Sequence, residues 1–293
     1  MPMGFEKYSV IGNGVVLVDY GPVTMTLEAR KRGRPFTESA VEGAKRALEI
    51  FDGLAGNLDF IRTPLSEIKS IPEGVPRAVR KMTESVALLG DGTFTPLAAV
   101  AGATADFAVS AMAAFGADYA FANNGGDIAW RVSRERKDFI NVGMISDLSL
   151  GRATHSLKIY AFEDIRGLAT SGLGGRSLTR GVASAATALA ADSSKADAAA
   201  TAIANACYCD DPAIEQCLAE ELDYGTDIRG LTVTRSVGAL NKESVEAALA
   251  AGAARAEELT EKGMIAGAIL FVRGAMRIVR QRGRGNLFEV AEL

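Results

Sequence analysis

The chain has 293 residues, of which 48% are hydrophobic, and a formal net charge of −4. This acidic balance argues against bulk binding to nucleic acid or to an anionic membrane, since both attract cationic proteins. His155 is the one histidine, which excludes a histidine cluster for zinc and leaves at most one imidazole for acid–base chemistry.

The N-terminal third is predicted to form strands followed by helices. Residues 1–10 lack the basic and long apolar regions of a secretory signal, and we find no apolar run near the ~20 residues that span a bilayer. Alternating apolar residues and tight-turn glycines predict strands over 7–36. Apolar residues at helical spacing predict a helix over 38–52 and another that starts at Pro76.

A helix dense in small residues is predicted over 96–115, and Asp106 lies inside it. A carboxylate among apolar neighbours needs a partner or a pocket rim, unless it is exposed at the helix edge. A hairpin should follow, with strands over 117–122 and 128–132. Between them, Gly125 and Gly126 precede Asp127, which suits either close backbone approach to a ligand or an ordinary turn.

Residues 167–206 combine several local signals and form the main candidate segment for a functional site. A small-residue turn over 169–172 is followed by an apolar run and by an Ala-rich helix that begins at Ser193. Asp197 and Thr201 are four residues apart on this helix, so both could reach one hard cation such as Mg²⁺, which takes oxygen ligands. The alternative is a buried core helix in which Thr201 bonds back to a carbonyl.

The C-terminal part is predicted to contain a helix over 214–222, a strand over 228–234, a long helix capped by Asn241 and a final hairpin over 265–279. Its three cysteines indicate reduced thiols in a cytoplasm and resemble small buried hydrophobes more than a metal site. Grouped strands with interspersed helices predict an α+β fold, which we assign to a single domain over 1–293.

Four segments, in order and at similar spacing, resemble the ApbE superfamily over about residues 94–206. Leu97–Asp106 resembles the family's LGAIAKGYAVD segment without its lysine, and Asn124–Ile128 resembles the GGDI turn. Ala169–Gly172 is similar to ATSG, and Ala196–Ile203 is similar to ADALATAL. The best-known members are FAD:protein FMN transferases with a T-fold-like α+β core.

The resemblance implies roles for several residues. Asp197 and Thr201 would help to hold Mg²⁺ beside a flavin nucleotide, FAD or FMN. Asp106 would contact that nucleotide, and the turn formed by Gly125, Gly126 and Asp127 would lie near it. Thr170 and Gly172 belong to the ATSG-like segment and would line the same site.

The segment Leu173–Gly181 departs from the transferases, because it lacks their HIIDPRTG sequence and therefore their histidine. This shorter form resembles an uncharacterised cytoplasmic branch of the superfamily. Arg176 and Arg180 could bind a carboxylate or phosphate bidentately. Ser171 or Ser177 could act as a nucleophile or donor, so that Arg176, Ser171 and Ser177 are the candidate catalytic residues.

Three functions follow from these patterns. The first is binding of a small anionic or nucleotide-like ligand, with Mg²⁺-dependent hydrolysis or group transfer as the chemistry. The second is transfer of FMN from FAD to a protein, and the third is a non-catalytic binding or scaffold role. Nucleic acid and membrane partners are not expected, whereas a homo-oligomer is compatible with the Ala- and Gly-rich helices.

Overall fold

A computed structural model describes residues 7–133, 139–160 and 164–293. Its strands and helices are interspersed, and the α+β prediction is confirmed. The strands are β1 (Tyr8–Gly12), β2 (Val15–Tyr20), β3 (Val23–Lys31), β4 (Arg34–Pro35), β5 (Tyr119–Asn124), β6 (Asp127–Val132), β7 (Phe139–Met144), β8 (His155–Tyr160), β9 (Gly167–Ser171), β10 (Ala185–Ala190), β11 (Ile214–Leu218), β12 (Thr232–Val237), β13 (Gly267–Val272), β14 (Ala275–Arg280) and β15 (Phe288–Glu292). The α-helices are α1 (Thr37–Ala55), α2 (Leu58–Ile61), α3 (Arg77–Ala87), α4 (Val100–Ala114), α5 (Ser193–Ala206), α6 (Ala219–Leu222) and α7 (Lys242–Glu261).

The largest sheet has the order β1-β2-β3-β5-β6-β9-β10-β13-β14, with β4 paired to β3. A three-stranded sheet, β15-β8-β7, covers one of its faces around the buried side chains of Trp130, Phe271 and Phe288. The helices α1, α3, α4, α5 and α7 cover the other face. Both faces of the interior strand β10 are therefore buried. This explains why five of its six residues are Ala or Leu, the other being Thr187.

The helices α4 and α5 cap each other. The Asp106 carboxylate of α4 accepts the backbone N–H groups of Ser193 and Ser194, at 2.9 and 3.0 Å, at the start of α5. In return, the Asp197 carboxylate of α5 accepts the N–H of Gly102, at 3.0 Å, at the start of α4. Each carboxylate satisfies amides that have no partner inside their own helix, so the pair fixes how the two helices cross.

Gly102 is required by this crossing, and its replacement gives a test. A Cβ at Gly102 would lie 2.2 Å from the carbonyl oxygen of Ser193, whereas a Cβ at Gly53 of α1 would meet the Pro76 ring at 3.7 Å. We expect Gly102→Ala to destabilise by roughly 2 kcal/mol or more through overpacking. The matched Gly53→Ala should stabilise by up to about 1 kcal/mol, since alanine is the better helix former. Urea unfolding of both variants measures the two effects, and equal signs would contradict this account of the contact.

Two predictions of local structure are wrong, and one strand was missed. Residues 214–218 form a strand because they pair with β12, so that only residues 219–222 of the predicted helix are helical. The predicted turn over 169–172 is largely strand β9, which pairs with β10 along its whole length. The final strand β15 was not predicted, and it exists through pairing with β8.

The stretch Pro96–Ala114 has the length and composition of a membrane-spanning helix, with a mean hydropathy of 1.5, within the part of the chain that the structure describes. This stretch contradicts the prediction that no apolar run approaches the length of a membrane span. In the structure, α4 packs against α1, α5, β5 and β6, and its Ala105, Ala108, Val109 and Met112 belong to the core. Length and composition alone are weak evidence for a span, because a buried core helix meets the same criteria.

Candidate functional site

A cavity of about 1370 Å³ opens where the central sheet comes apart. Strands β6 and β9 pair at only two positions, Ile128 with Leu168 and Ala129 with Gly167, before they separate. The space beyond is lined by the β5–β6 turn, the end of β9, the loop that follows β9, and one face of α5. The gap in the sheet therefore leaves polar backbone and side chains facing a partly open cavity.

The β5–β6 turn sets the position of Asp127. Gly125 and Gly126 have φ values of +66° and +109°, which suits a two-residue hairpin loop and favours glycine at both positions. The Asn123 side chain accepts the N–H of Gly126 at 2.9 Å, and the Asn124 amide donates to the carbonyl of Ala101 at 3.2 Å. These bonds fix the turn against α4, so that Asp127, the first residue of β6, faces the cavity.

Asp127 and Asp197 form an interacting acidic pair on the cavity wall. Burial raises the pKa of Asp127 to about 7, against the opposing effects of the Thr170 N–H and of the Arg176 guanidinium. Burial and then the negative charge of Asp127 raise the pKa of Asp197 well above its usual range. Two carboxylates in one poorly solvated space disfavour each other's ionised form, and a bound cation would relieve this repulsion.

The oxygen atoms available here suit a hard cation. Thr201 lies one turn after Asp197 on α5 and lines the same cavity, as the predicted helix spacing requires. Two carboxylates and a hydroxyl are the donors that Mg²⁺ and Ca²⁺ prefer. Among the described residues, no group of three or more His, Cys, Asp and Glu side chains forms a metal cluster. The chemistry of the donors therefore fits a hard cation held by few protein ligands and completed by water or by a ligand.

The loop between β9 and β10 carries the two predicted anion-binding arginines to different walls. Arg176 donates to the carbonyl of Pro22, at 3.1 Å, in the β2–β3 turn. Arg180 donates to the Thr93 hydroxyl, at 3.3 Å, ahead of α4. Its own backbone N–H is held by the Asn205 side chain at 2.9 Å. Both arginines line the cavity and bond to different parts of its wall.

Eleven of the twelve predicted site residues line this single cavity. They are Gly125, Gly126, Asp127, Thr170, Ser171, Gly172, Arg176, Ser177, Arg180, Asp197 and Thr201. Ser177 is exposed on the loop, and Ser171 is half-buried at the end of β9. His155 does not line the cavity, and it contacts the Thr154 hydroxyl at 2.9 Å and packs on Phe271. A nucleophilic role for either serine stays a prediction.

Asp106 is the exception, since it does not line the cavity. Its carboxylate faces the start of α5 and lies 3.6 Å from the ammonium group of Lys81, which also pairs with Asp192 at 3.2 Å. Burial raises the pKa of Asp106, and the charge of Lys81 acts against this rise. The Asp106 side chain, for which the resemblance implies contact with a nucleotide, thus holds α4 and α5 together.

One polar contact on the cavity wall was missed by the sequence analysis. The hydroxyl of Thr95 donates to the carboxylate of Asp227, and both residues line the cavity. They are separated by 132 positions, and neither stands in a pattern that predicts a site. No signal in the sequence could have paired them, because the contact depends on how residues 223–231 fold back onto the rest of the chain.

Comparison with known proteins places the chain in a family. A family model described as "AbpE bacteria" matches residues 9–278. The chain belongs to this family. It is also 35% identical over 188 residues to the UPF0280 protein of Methanothrix thermoacetophila, a match that covers 62% of this chain and 75% of that protein. The UPF0280 protein of Methanosarcina acetivorans is 40% identical over 135 residues, or 46% of this chain and 50% of its own length. These matches confirm the predicted uncharacterised branch of the ApbE superfamily.

The solved structures that we compared resemble this chain only distantly. The flavin transferase ApbE from Vibrio cholerae is 11% identical with a TM-score of 0.47, over 92% of this chain and 96% of that one. The apo flavinyl transferase ApbE from Pseudomonas stutzeri is 12% identical with the same TM-score, over 92% and 90% of the two chains. Likenesses at this level carry no conclusion about activity.

Proposed function

We propose that the cavity binds a small anionic or nucleotide-like ligand together with a divalent cation such as Mg²⁺. The observation that carries this proposal is the acidic pair, Asp127 and Asp197, on the wall of a cavity of about 1370 Å³. Thr201 would complete the protein's share of the cation site. The cation would supply charge neutralisation and a point of attachment for phosphate or carboxylate oxygens.

The protein's own residues would position the ligand in this proposal. Arg180 is oriented by Thr93 and Asn205, and it could donate to an anionic group of the ligand. The loop that begins at Gly172 forms part of the cavity wall and would lie against the bound ligand. Gly172 has φ +150°, and a Cβ there would lie 2.8 Å from the carbonyl oxygen of Ala183, so glycine is required where the loop leaves β9.

Replacing Asp197 by asparagine tests the cation site. Asn retains an oxygen that can accept the N–H of Gly102, so the fold should survive, but the negative charge is lost. We expect MgCl₂ or MnCl₂ to raise the melting temperature of the wild-type protein. In Asp197→Asn, the apparent cation affinity derived from this shift should be at least about tenfold weaker. Differential scanning fluorimetry with added FAD, FMN or ADP shows whether a nucleotide adds to the shift. Identical shifts in both proteins would refute the proposed site.

Transfer of FMN to a protein is the second candidate, because the size and lining of the cavity favour a dinucleotide. Its volume exceeds the range of about 300–1,000 Å³ that is usual for small-ligand pockets. Apolar side chains line it from two parts of the fold, one around Phe51, Leu58 and Phe94 and the other around Phe121 and Met144. Incubation with FAD and a threonine-containing acceptor peptide, followed by mass spectrometry, tests this activity. A mass increase by one FMN would establish it.

The third candidate is a protein that binds its ligand without catalysing a reaction. This function is supported by the cavity wall, which contains no histidine among the described residues. It would show the cation-dependent shift without any turnover of FAD. A cytoplasmic location, one domain over 1–293 and formation of a homo-oligomer also stay proposals.

A further inference from the structure

The cavity wall carries a further carboxylate, Asp227, on the loop that runs from residue 223 to residue 231. Its Oδ2 accepts a hydrogen bond from the hydroxyl of Thr95, which is buried. Among the described residues, no hydrogen bond or ion pair holds the other oxygen, Oδ1. The resemblance to the ApbE superfamily ends at about residue 206, so it implies no role for this side chain. Asp227 therefore offers a free acceptor that the proposed cation site does not use.

The loop that carries Asp227 is held in place by its own hydrogen bonds. The N–H of Gly230 donates to the Glu220 carboxylate at 2.8 Å. The N–H of Ala219 donates to the carbonyl of Leu231 at 2.9 Å and closes the loop at its base. The carboxylate is thus positioned before a ligand binds, which lowers the cost of ordering it on binding.

Asp227 is anchored apart from the acidic pair. Asp197 accepts the N–H of Gly102 in the first turn of α4, whereas Asp227 accepts the hydroxyl of Thr95. The 3-10 turn Pro96–Ala99 separates these two contacts. Its four residues extend for about 8 Å, at ~2 Å of rise for each residue. A ligand held by a cation at Asp197 would therefore have to be elongated to reach Asp227.

A positive group lies near Asp227 on the same wall. Arg180 donates to the hydroxyl of Thr93 at 3.3 Å. Thr93 is two residues before Thr95, and two residues of chain span no more than about 7 Å. The wall thus presents a guanidinium, which binds anions, and a carboxylate, which accepts hydrogen bonds, at neighbouring points. A phosphate attached to a hydroxylated sugar matches both groups, because the sugar hydroxyls lie next to the phosphate and the base lies beyond the sugar.

We propose that Asp227 is a specificity-determining residue that accepts a hydrogen bond from a sugar hydroxyl of a ribonucleotide whose phosphate lies against Arg180 and the cation. This inference rests on the proposed function, and it narrows the ligand from small anions to phosphates that carry a hydroxylated sugar. A hydrogen bond to a carboxylate is about twice as strong as one between neutral groups. A ligand without these hydroxyls would leave the desolvated carboxylate without a donor, so the site would reject it.

Isothermal titration calorimetry in saturating MgCl₂ tests this specificity with ADP, 2′,3′-dideoxy-ADP and inorganic pyrophosphate. We expect wild type to bind ADP about tenfold more tightly than dideoxy-ADP. In Asp227→Asn this preference should fall to about threefold or less, since the hydrogen bond loses its charge. Pyrophosphate, which has no sugar, should bind the variant at least as tightly as it binds wild type.

The variant and its control separate recognition from folding. Asn retains an oxygen that can accept the Thr95 hydroxyl, so Asp227→Asn should keep the melting temperature of wild type within a few degrees in the absence of ligand. Asp59→Asn makes the same change in charge at an exposed residue of α2 that does not line the cavity. It should retain the wild-type preference for ADP.

The outcomes distinguish this inference from the proposed function. If wild type binds ADP and dideoxy-ADP equally well in Mg²⁺, recognition of the sugar is refuted while the anion and cation site stands. An unchanged preference in Asp227→Asn would refute the role of Asp227 in the same way. If wild type binds none of the three compounds in Mg²⁺, both proposals fall together.

Discussion

Asp106→Ala is expected to destabilise the protein by about 3 kcal/mol while leaving the affinity of the folded protein for cations unchanged. The substitution removes the acceptor for the Ser193 and Ser194 N–H groups and the partner of Lys81. Buried donors without an acceptor cost ~1–3 kcal/mol, and loss of the partly buried ion pair with Lys81 adds a smaller amount. Chemical denaturation measures the change.

Asp106→Asn is the graded comparison, because its side-chain oxygen can still accept one of the two N–H groups. It should fall between wild type and Asp106→Ala in stability. The resemblance to the transferases implies another role, contact with a flavin nucleotide. A nucleotide-dependent thermal shift that disappears in Asp106→Asn with stability retained would support that role and contradict a purely structural one.

Asp127→Asn is expected to stabilise the cation-free protein above pH 7 and to flatten its pH dependence. The pKa of Asp127 is about 7 in the folded protein and about 3.9 in an unfolded chain. Between these values the folded state holds a proton that the unfolded state has lost, so wild-type stability falls as pH rises from about 4 to about 7. At about 1.4 kcal/mol per pKa unit, the gain above pH 7 is on the order of 2–4 kcal/mol.

The measurement is the free energy of unfolding at several pH values in the presence of a chelator. Asp59→Asn provides the control, because Asp59 is exposed on α2 and its replacement should change stability by less than about 0.5 kcal/mol. Saturating Mg²⁺ should reverse the order and make wild type the more stable protein, since the cation binds the ionised carboxylates. The interpretation of the acidic pair would be contradicted if the stability of wild type and that of Asp127→Asn rose at the same rate between pH 4 and pH 7.

Periodicity and capping were sufficient for the elements whose own residues decide their structure. The helix α7 begins where Asn241 predicts it, with the Asn241 side chain accepting the N–H of Ser244 at 2.8 Å. The helix α5 starts at Ser193 as predicted. Residues 214–218 escaped this reasoning, because an Asp-Asp-Pro helix-start signal was outweighed by pairing with a strand about twenty residues later. Partners that distant leave no local pattern.

The sequence by itself determined the residues that share a helix face or a turn. The helical repeat places Asp197 and Thr201 on the same face of a helix. Gly125 and Gly126 form the two-residue hairpin loop after which Asp127 begins the next strand. The tertiary structure alone decided that Asp127 lies close enough to Asp197 for their charges to interact, since the two residues are some 70 positions apart in the sequence. It also decided that Asp106, an equally suggestive carboxylate, caps a helix, because the reciprocal crossing of α4 and α5 uses its oxygens for backbone amides.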